Sequence, residues 1–290
     1  MENFFTPEIP DDAIYHVGIS GGKDSTAALL YLLHKADIPR ENIDATFCDT
    51  GNEHQWTLDH VAMLSEKVHP IKTLKPERDF YELADHKRRF PGAKTRFCTQ
   101  FLKIIPSQDH ILELLKTKRP VVAVSGVRSD ESDMRSRHLE WDFSGELLTI
   151  SWRPLIRWSI KDVYAIHEEF GIPLNPLYAA GAERVGCFPC IMSRKAEIRM
   201  IAQKFPERID MIRQAEQDFE QKYGRFSSFF PAPTVPERFR SKPYTDKEGN
   251  AIKVATIDDV VRWSMTGNRA QGHYTDHAPE PVTCRSGFCE

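Results

Sequence analysis

The stretch Ile14-Tyr15-His16-Val17-Gly18-Ile19-Ser20-Gly21-Gly22-Lys23-Asp24-Ser25-Thr26 decides how this chain folds. A short apolar run ends in a Ser-Gly-Gly bend, and a helix-like segment follows at once. The pattern predicts a strand over 14–19, an anion-binding bend, and a helix over 25–35. Glycines let backbone N–H groups approach an anion with no Cβ in the way. The helix start adds unpaired N–H donors and a positive dipole end. Lys23 supplies a mobile charge, and Ser25 and Thr26 supply hydroxyls. A plain Gly-Gly turn with a helix cap is the ordinary alternative. A Walker A loop is excluded, because Asp24 follows Lys23 and Val17 stands where its first glycine belongs.

Further along, residues 43–47 read as a strand ended by Cys48-Asp49-Thr50-Gly51, 53–68 as a helix and 71–74 as a short strand. Residues 103–116 look helical, and the β-branched run at 120–125 reads as a buried strand. Strands alternating with helices imply an α/β fold with a doubly wound, mostly parallel, Rossmann-like sheet. Ligands in such sheets sit beyond the carboxyl ends of strands. Three sets of residues fall there: Ser20 to Gly22, Asp49 to Gly51, and Gly126 to Arg128. Residues 148–152 read as a further strand and 159–170 as a helix, with Ser159 and Asp162 in capping-box positions and Gly171 as the stop. Residues 194–224 read as one or two helices broken near Pro206, and 257–265 as one more helix.

The chain has 290 residues, 40% of them hydrophobic, which permits a substantial core. A net charge of −3 gives no global basic field for nucleic acid. No run is long and apolar enough to cross a bilayer, so no membrane partner is expected. The acidic, proline-containing start differs from a secretory signal, and the chain reads as cytoplasmic. Six cysteines in a cytosolic chain point to metal, redox work or burial before disulfides.

Gly126 allows close backbone approach, and Arg128 offers a planar fork for phosphate or sulfate oxygens. A solvated charged loop is the plainer reading. The basic stretch His86 to Cys98 suits a polyanion such as a triphosphate, pyrophosphate or an RNA backbone. Cys187-Phe188-Pro189-Cys190 is a knuckle whose two sulfurs suit one metal, although it provides only half a shell. A thioredoxin-type redox pair uses the same spacing, but expects the pair straight after a strand early in its domain. Cys98 and either Cys284 or Cys289 offer further ligands, while Cys48 in a strand reads as packing.

Ser20-Gly21-Gly22-Lys23-Asp24-Ser25 resembles the pyrophosphate loop (PP-loop) of the adenine-nucleotide alpha-hydrolase superfamily. Pro154-Leu155-Ile156-Arg157-Trp158-Ser159-Ile160-Lys161-Asp162-Val163 is similar to a signature of the phosphoadenosine phosphosulfate (PAPS) reductase family. Pro173-Leu174-Asn175-Pro176-Leu177 and Gly186-Cys187-Phe188-Pro189-Cys190 resemble its later segments, so the likeness spans residues 14–195. It implies a nucleotide-binding domain over 1–195 with an adenine nucleotide alpha-hydrolase-like fold. A helical and irregular extension over 196–290 then carries Cys284 and Cys289.

The resemblance implies that ATP with Mg²⁺ is held by Ser20, Gly21, Gly22, Lys23, Asp24, Ser25, Asp49, Thr50, Gly126 and Arg128, with Lys23, Asp24 and Arg128 serving the chemistry. It further implies that Cys98, Cys187 and Cys190 are ligands of a 4Fe-4S cluster or Zn²⁺. Phe97 replaces one cysteine of the family's tandem pair, so the fourth ligand has to come from elsewhere; the tail offers Cys284, the expected ligand, and Cys289, its competitor. The reductases' C-terminal Glu-Cys-Gly is missing, and the intact Lys-Asp pair is that of the ATP-using relatives. The expected activity is therefore adenylation of an acceptor for sulfur or nitrogen transfer. Sulfate, a tRNA or DNA base or a small carboxylate fits as acceptor, with a sulfur-donor protein as partner; the oligomeric state is not legible. A sulfonucleotide reductase using Cys289 and a non-catalytic nucleotide- or nucleic-acid-binding module are the rival readings.

Overall fold

The computed structural model describes residues 7–230, 235–245 and 249–267. Strand β1 (Ile14–Ile19) runs through a bend into α1 (Lys23–His34), so strand, bend and helix stand as the sequence predicts. The helix begins two residues before the expected start, because Gly22 takes an extended N-cap conformation without any side-chain cap. Lys23 and Asp24 thereby join the helix's first turn. Then come β2 (Ile43–Cys48), α2 (Gln55–Lys67), β3 (Ile71–Leu74) and α3 (Phe80–Lys87). A helical run follows as α4 (Phe97–Thr99), a π-helical turn Gln100–Ile104, and α5 (Ile105–Leu115). The strands β4 (Val121–Val124), β5 (Trp141–Ser144) and β6 (Thr149–Trp152) complete the main sheet.

That sheet has six strands in the order β3-β2-β1-β4-β6-β5. All neighbours are parallel except β5, which pairs antiparallel with β6. The chain moves from β1 outward to β2 and β3, then returns to lay β4 on the other side of β1. The turns after β1 and β4 therefore diverge around a crevice at the carboxyl edge, where ligands of open α/β sheets bind.

Strand alternation sends Val17, Ile19, Ala45, Phe47, Val122 and Val124 to one face, packed on α1, α2 and the helix α6 (Ile160–Glu169). Ile14, Val121 and Ala123 face the other side, against Ile111 of α5. Helices thus cover both faces, as a mostly parallel sheet requires. The capping box read at Ser159 and Asp162 is present, and Gly171 has the left-handed φ of +64° expected of a stop.

Beyond it lie α7 (Pro176–Ala179), α8 (Lys195–Lys204), α9 (Pro206–Tyr223), a hairpin β7 (Lys242–Thr245) and β8 (Ala251–Val254), and α10 (Ile257–Ser264). The break expected near Pro206 is the joint between α8 and α9. One apolar cluster joins Phe80, Leu83 and Phe90 to Ile201, Ile212, Phe229 and Val260, so the helical C-terminal part shares a core with α3.

Candidate active site

At the carboxyl end of β1, residues 20–22 fold into a tight cup. Gly21 has φ +78°, and a Cβ there would stand 2.8 Å from Thr57 Cγ2. The Gly22 N–H donates to Ser20 Oγ at 3.1 Å, and the Ser20 N–H to Ser25 Oγ at 3.2 Å. The hydroxyls of Ser20 and Ser25 are 3.0 Å apart. The cup thus folds its own donors on its own hydroxyls, and these are the groups an incoming phosphate would take.

Lys23 Nζ lies 2.6 Å from Asp24 Oδ2, and Arg128 Nε lies 2.7 Å from Asp24 Oδ1. Asp24 is 1% exposed and holds two cations from different elements. Burial opposes the charge on Arg128, but the carboxylates of Asp24, Asp130 and Glu131 together outweigh it, Asp24 foremost, and raise the guanidinium's pKa. Arg128 also pairs with Asp130 through Nη1, and its backbone N–H donates to Glu131 at 2.9 Å. Gly126 explains how Arg128 reaches the loop. A Cβ on it would stand 2.4 Å from the Asp24 carbonyl oxygen, so only glycine lets the strand exit run against the first turn of α1. The structure thus brings Ser20, Gly21, Gly22, Lys23, Asp24, Ser25, Gly126 and Arg128 together.

Asp49 and Thr50 sit after β2. Asp49 Oδ1 accepts the Gly51 N–H at 3.1 Å and ends the strand. Thr50 is fully buried, and its hydroxyl donates to Glu53 Oε1 at 2.6 Å. The same loop carries the cysteine knuckle. Glu53 bridges Cys187 in antiparallel fashion, Phe188 N–H donates to Asn52 O at 2.7 Å, and Asn52 Nδ2 donates to Pro189 O at 3.0 Å. Cys187 Sγ lies 3.7 Å from Glu53 Oε1 and 3.6 Å from Thr50 Oγ1. Burial raises the pKa of both Glu53 and Cys187, so each favours its neutral form.

A small, partly open cleft runs from the loop to Gly186, just ahead of the knuckle, lined by Gly18, Ile19, Ser20, Thr46, Phe47, Cys48, Glu53, Lys103 and Gly186. Lys103 belongs to the π-helical turn, a departure from α-geometry that recurs at functional sites. Cys48, expected as packing, is buried and also lines the cleft.

Cys187 and Cys190 are close enough to interact electrostatically, and Cys98 and Cys190 border the same apolar cluster. The sulfurs of Cys98, Cys187 and Cys190 do not all lie within 4.8 Å of one another, so the structure does not gather the three into a close-set group. Cys284 and Cys289 lie outside the described residues. Arg96 stands just ahead of α4.

Three residues that hold the loop had no role in the sequence reading. Asn175 Nδ2 donates to Gly21 O at 3.1 Å, Tyr178 Oη accepts the Lys23 N–H at 3.0 Å, and His167 Nε2 lies 2.8 Å from Lys23 O. Asn175 and Tyr178 lie in or beside a segment that the family resemblance singled out. For His167, nothing in the sequence signalled the contact.

The family model for the phosphoadenosine phosphosulfate reductase domain matches residues 15–193, well over half of the chain. The chain belongs to the PAPS reductase family. Its relatives include an uncharacterized 37.8 kDa protein in the gpa 5′ region of Escherichia phage 186, 29% identical over 88% of this chain and 89% of that protein. An uncharacterized protein of Methanocaldococcus jannaschii is 28% identical over 66% of this chain and 45% of its own length. The adenosine 5′-phosphosulfate reductase of Geobacillus thermodenitrificans is 26% identical over 52% of this chain and 63% of that enzyme. Among solved structures, a phosphate complex of PAPS reductase from Candida auris is similar with a TM-score of 0.49 and 20% identity, covering 63% of this chain and 83% of that one. Family membership makes this chain one of a set of nucleotide-using enzymes.

Proposed function

We propose that this family member is an ATP pyrophosphatase that adenylates an acceptor for sulfur or nitrogen transfer. The observation that carries the reading is the meeting of Lys23 and Arg128 on Asp24 beside the N–H groups of the 20–22 cup. Two cations and a helix N-terminus at a strand end suit a polyphosphate, and ATP with Mg²⁺ is the nucleotide. Lys23 turns from Asp24 to the β and γ phosphates, and Ser20, Ser25, Gly21 and Gly22 hold their oxygens. Asp24 acts as a positioning residue, because both of its oxygens already orient a cation. Arg128 stabilises charge on departing pyrophosphate, with Arg96 as a second donor. Asp49 borders the sugar side of the nucleotide, while Thr50, expected there too, is buried with its hydroxyl on Glu53 and holds the loop instead.

An acceptor oxygen attacks the α phosphorus, the α–β bridging bond breaks, and pyrophosphate leaves. A sulfur or nitrogen nucleophile then displaces AMP from the adenylated acceptor. The acceptor is sulfate, a nucleic-acid base or a carboxylate, and the sulfur comes from a donor protein or the cysteine site. Cys98, Cys187 and Cys190, with Cys284 as the fourth, would hold a 4Fe-4S cluster or Zn²⁺, which supplies a centre able to bind sulfur. Glu53 contacts Cys187 and also lines the cleft that Ser20 of the phosphate loop lines.

The second reading is a sulfonucleotide reductase, favoured by the relatives described as adenosine 5′-phosphosulfate reductases. The test is turnover of ATP to AMP and pyrophosphate with candidate acceptors, compared with turnover of a sulfonucleotide plus a thiol reductant. Lys23→Ala should lower AMP formation by about 100-fold or more. Sulfite release without ATP, or AMP formation untouched by Lys23→Ala, overturns the proposal.

A further inference from the structure

A second set of chemistry-bearing side chains lies below the cleft and takes no part in the proposed reaction. His16 stands in the middle of β1 and Asp44 directly opposite it in β2. Both are on the sheet face covered by α5, which contributes His110. Asp44 Oδ2 lies 2.7 Å from His16 Nδ1 and 2.9 Å from His110 Nε2. The three donor atoms all lie within 4.8 Å of one another, and among the described residues no other group of three or more His, Cys, Asp or Glu does so.

We propose that His16, Asp44 and His110 bind one divalent transition metal of the zinc class beneath the nucleotide cleft. Two imidazoles and one carboxylate are a donor set that suits zinc and its neighbours rather than magnesium or calcium. Zinc bonds to such donors at about 2.0–2.2 Å, so donors of a tetrahedral site stand about 3.3 Å apart. The observed 2.7 and 2.9 Å separations are those of the hydrogen-bonded triad; both open by about half an ångström, and the two imidazole nitrogens, within 4.8 Å of each other, adjust to the same spacing to admit the ion. Three donors from three elements are held in place by strand register and helix packing, so little ordering remains for binding to achieve. Asp44 is 23% exposed on its side chain, which leaves an entry path.

The surroundings of His16 fit the ring tautomer that a metal needs. When His16 ligates through Nδ1, its proton moves to Nε2, which faces the Thr46 hydroxyl at 3.5 Å. Thr46 also lines the nucleotide cleft, so the metal site is one strand step below its floor. His110 is different. Lys72 Nζ lies 3.3 Å from His110 Nδ1, so the ammonium donates there and keeps the ring proton on Nε2, facing Asp44. Metal binding moves that proton to Nδ1, and the ammonium has to swing away. Lys72 is exposed and has room to do so. It is therefore the built-in competitor of the ion.

The test uses the full chain titrated with Co²⁺, whose visible spectrum separates thiolate ligation from nitrogen and oxygen ligation. In Cys187→Ser, which removes the thiolate site, one equivalent should bind with no thiolate-to-metal charge-transfer band. Adding His110→Gln to that variant should lose it. Lys72→Met should tighten it roughly tenfold. Zinc measured by mass analysis after dialysis should follow the same order. Cobalt bound equally by Cys187→Ser with and without His110→Gln overturns the proposal, as does a Cys187→Ser chain that binds no cobalt. Should His110→Gln fail to fold by circular dichroism, an affinity unmoved by Lys72→Met overturns it on its own. The site does not depend on which nucleotide the cleft takes.

Discussion

Gly126 shows how one missing Cβ sets the geometry of the whole proposed nucleotide site. Its close approach to the Asp24 carbonyl lets β4 deliver Arg128 onto Asp24, and Asp24 in turn aligns Lys23. Gly126→Ala forces backbone to move against backbone, which costs about 1–3 kcal/mol. The expected result is a lower denaturation midpoint together with weaker nucleotide affinity; a variant as stable and as tight as the parent contradicts this role. The sequence made Gly126, Arg128 and the 20–25 cup legible because strand-end glycines and a Gly-Gly-Lys bend carry their own steric and electrostatic meaning. It could not show that Asp24 joins two cations, since that pairing spans 104 residues. Nor could it show that the Thr50 hydroxyl is committed to Glu53, which only burial reveals.

The short α7 and its N-cap illustrate the scale of the element. Asn175 caps α7 by accepting the Leu177 N–H at 3.0 Å, while its amide nitrogen reaches Gly21 O and Thr57 Oγ1. One buried side chain thereby ties a helix start to the phosphate cup and to α2. Asn175→Ala removes a cap and leaves the buried Gly21 carbonyl without this donor, a loss of about 2 kcal/mol. Thermal unfolding should report that loss, and amide exchange should speed up at residues 20–22. An unchanged exchange rate there contradicts the tie. Elements with strong periodicity or capping residues were legible from sequence, as the Ser159 box shows. The Asp79–Glu82 box of α3 carries the same residue signature. Strand β5 and the β7–β8 hairpin are four-residue strands with little burial, so no hydrophobic alternation marks them. The π-helical turn at Lys103 leaves no trace in residue type at all.

At the scale of the molecule, the C-terminal helices pack into one core with α3, and a buried carboxylate sits at their junction. Glu216 of α9 accepts the Phe229 N–H at 2.9 Å and the Ile257 N–H at 2.8 Å. Burial raises its pKa from 4.5 to about 7, and the two N–H donors offset that only in part. A raised folded-state value means that the folded chain holds this proton more tightly than the unfolded chain. The contribution is complete below pH 4.5 and fades as pH rises through 7, amounting to about 3 kcal/mol at most. Urea midpoints from pH 5 to 8 should therefore fall more steeply in the parent than in Glu216→Gln; parallel curves would show that Glu216 titrates normally. The central claim concerns the cup after β1 and is open to a direct measurement. Calorimetric titration with α,β-methylene ATP needs neither acceptor nor turnover. The account predicts binding that Lys23→Ala weakens by about 10- to 100-fold. Equal affinity in the two proteins, or no binding of the analogue by the parent chain, would contradict it.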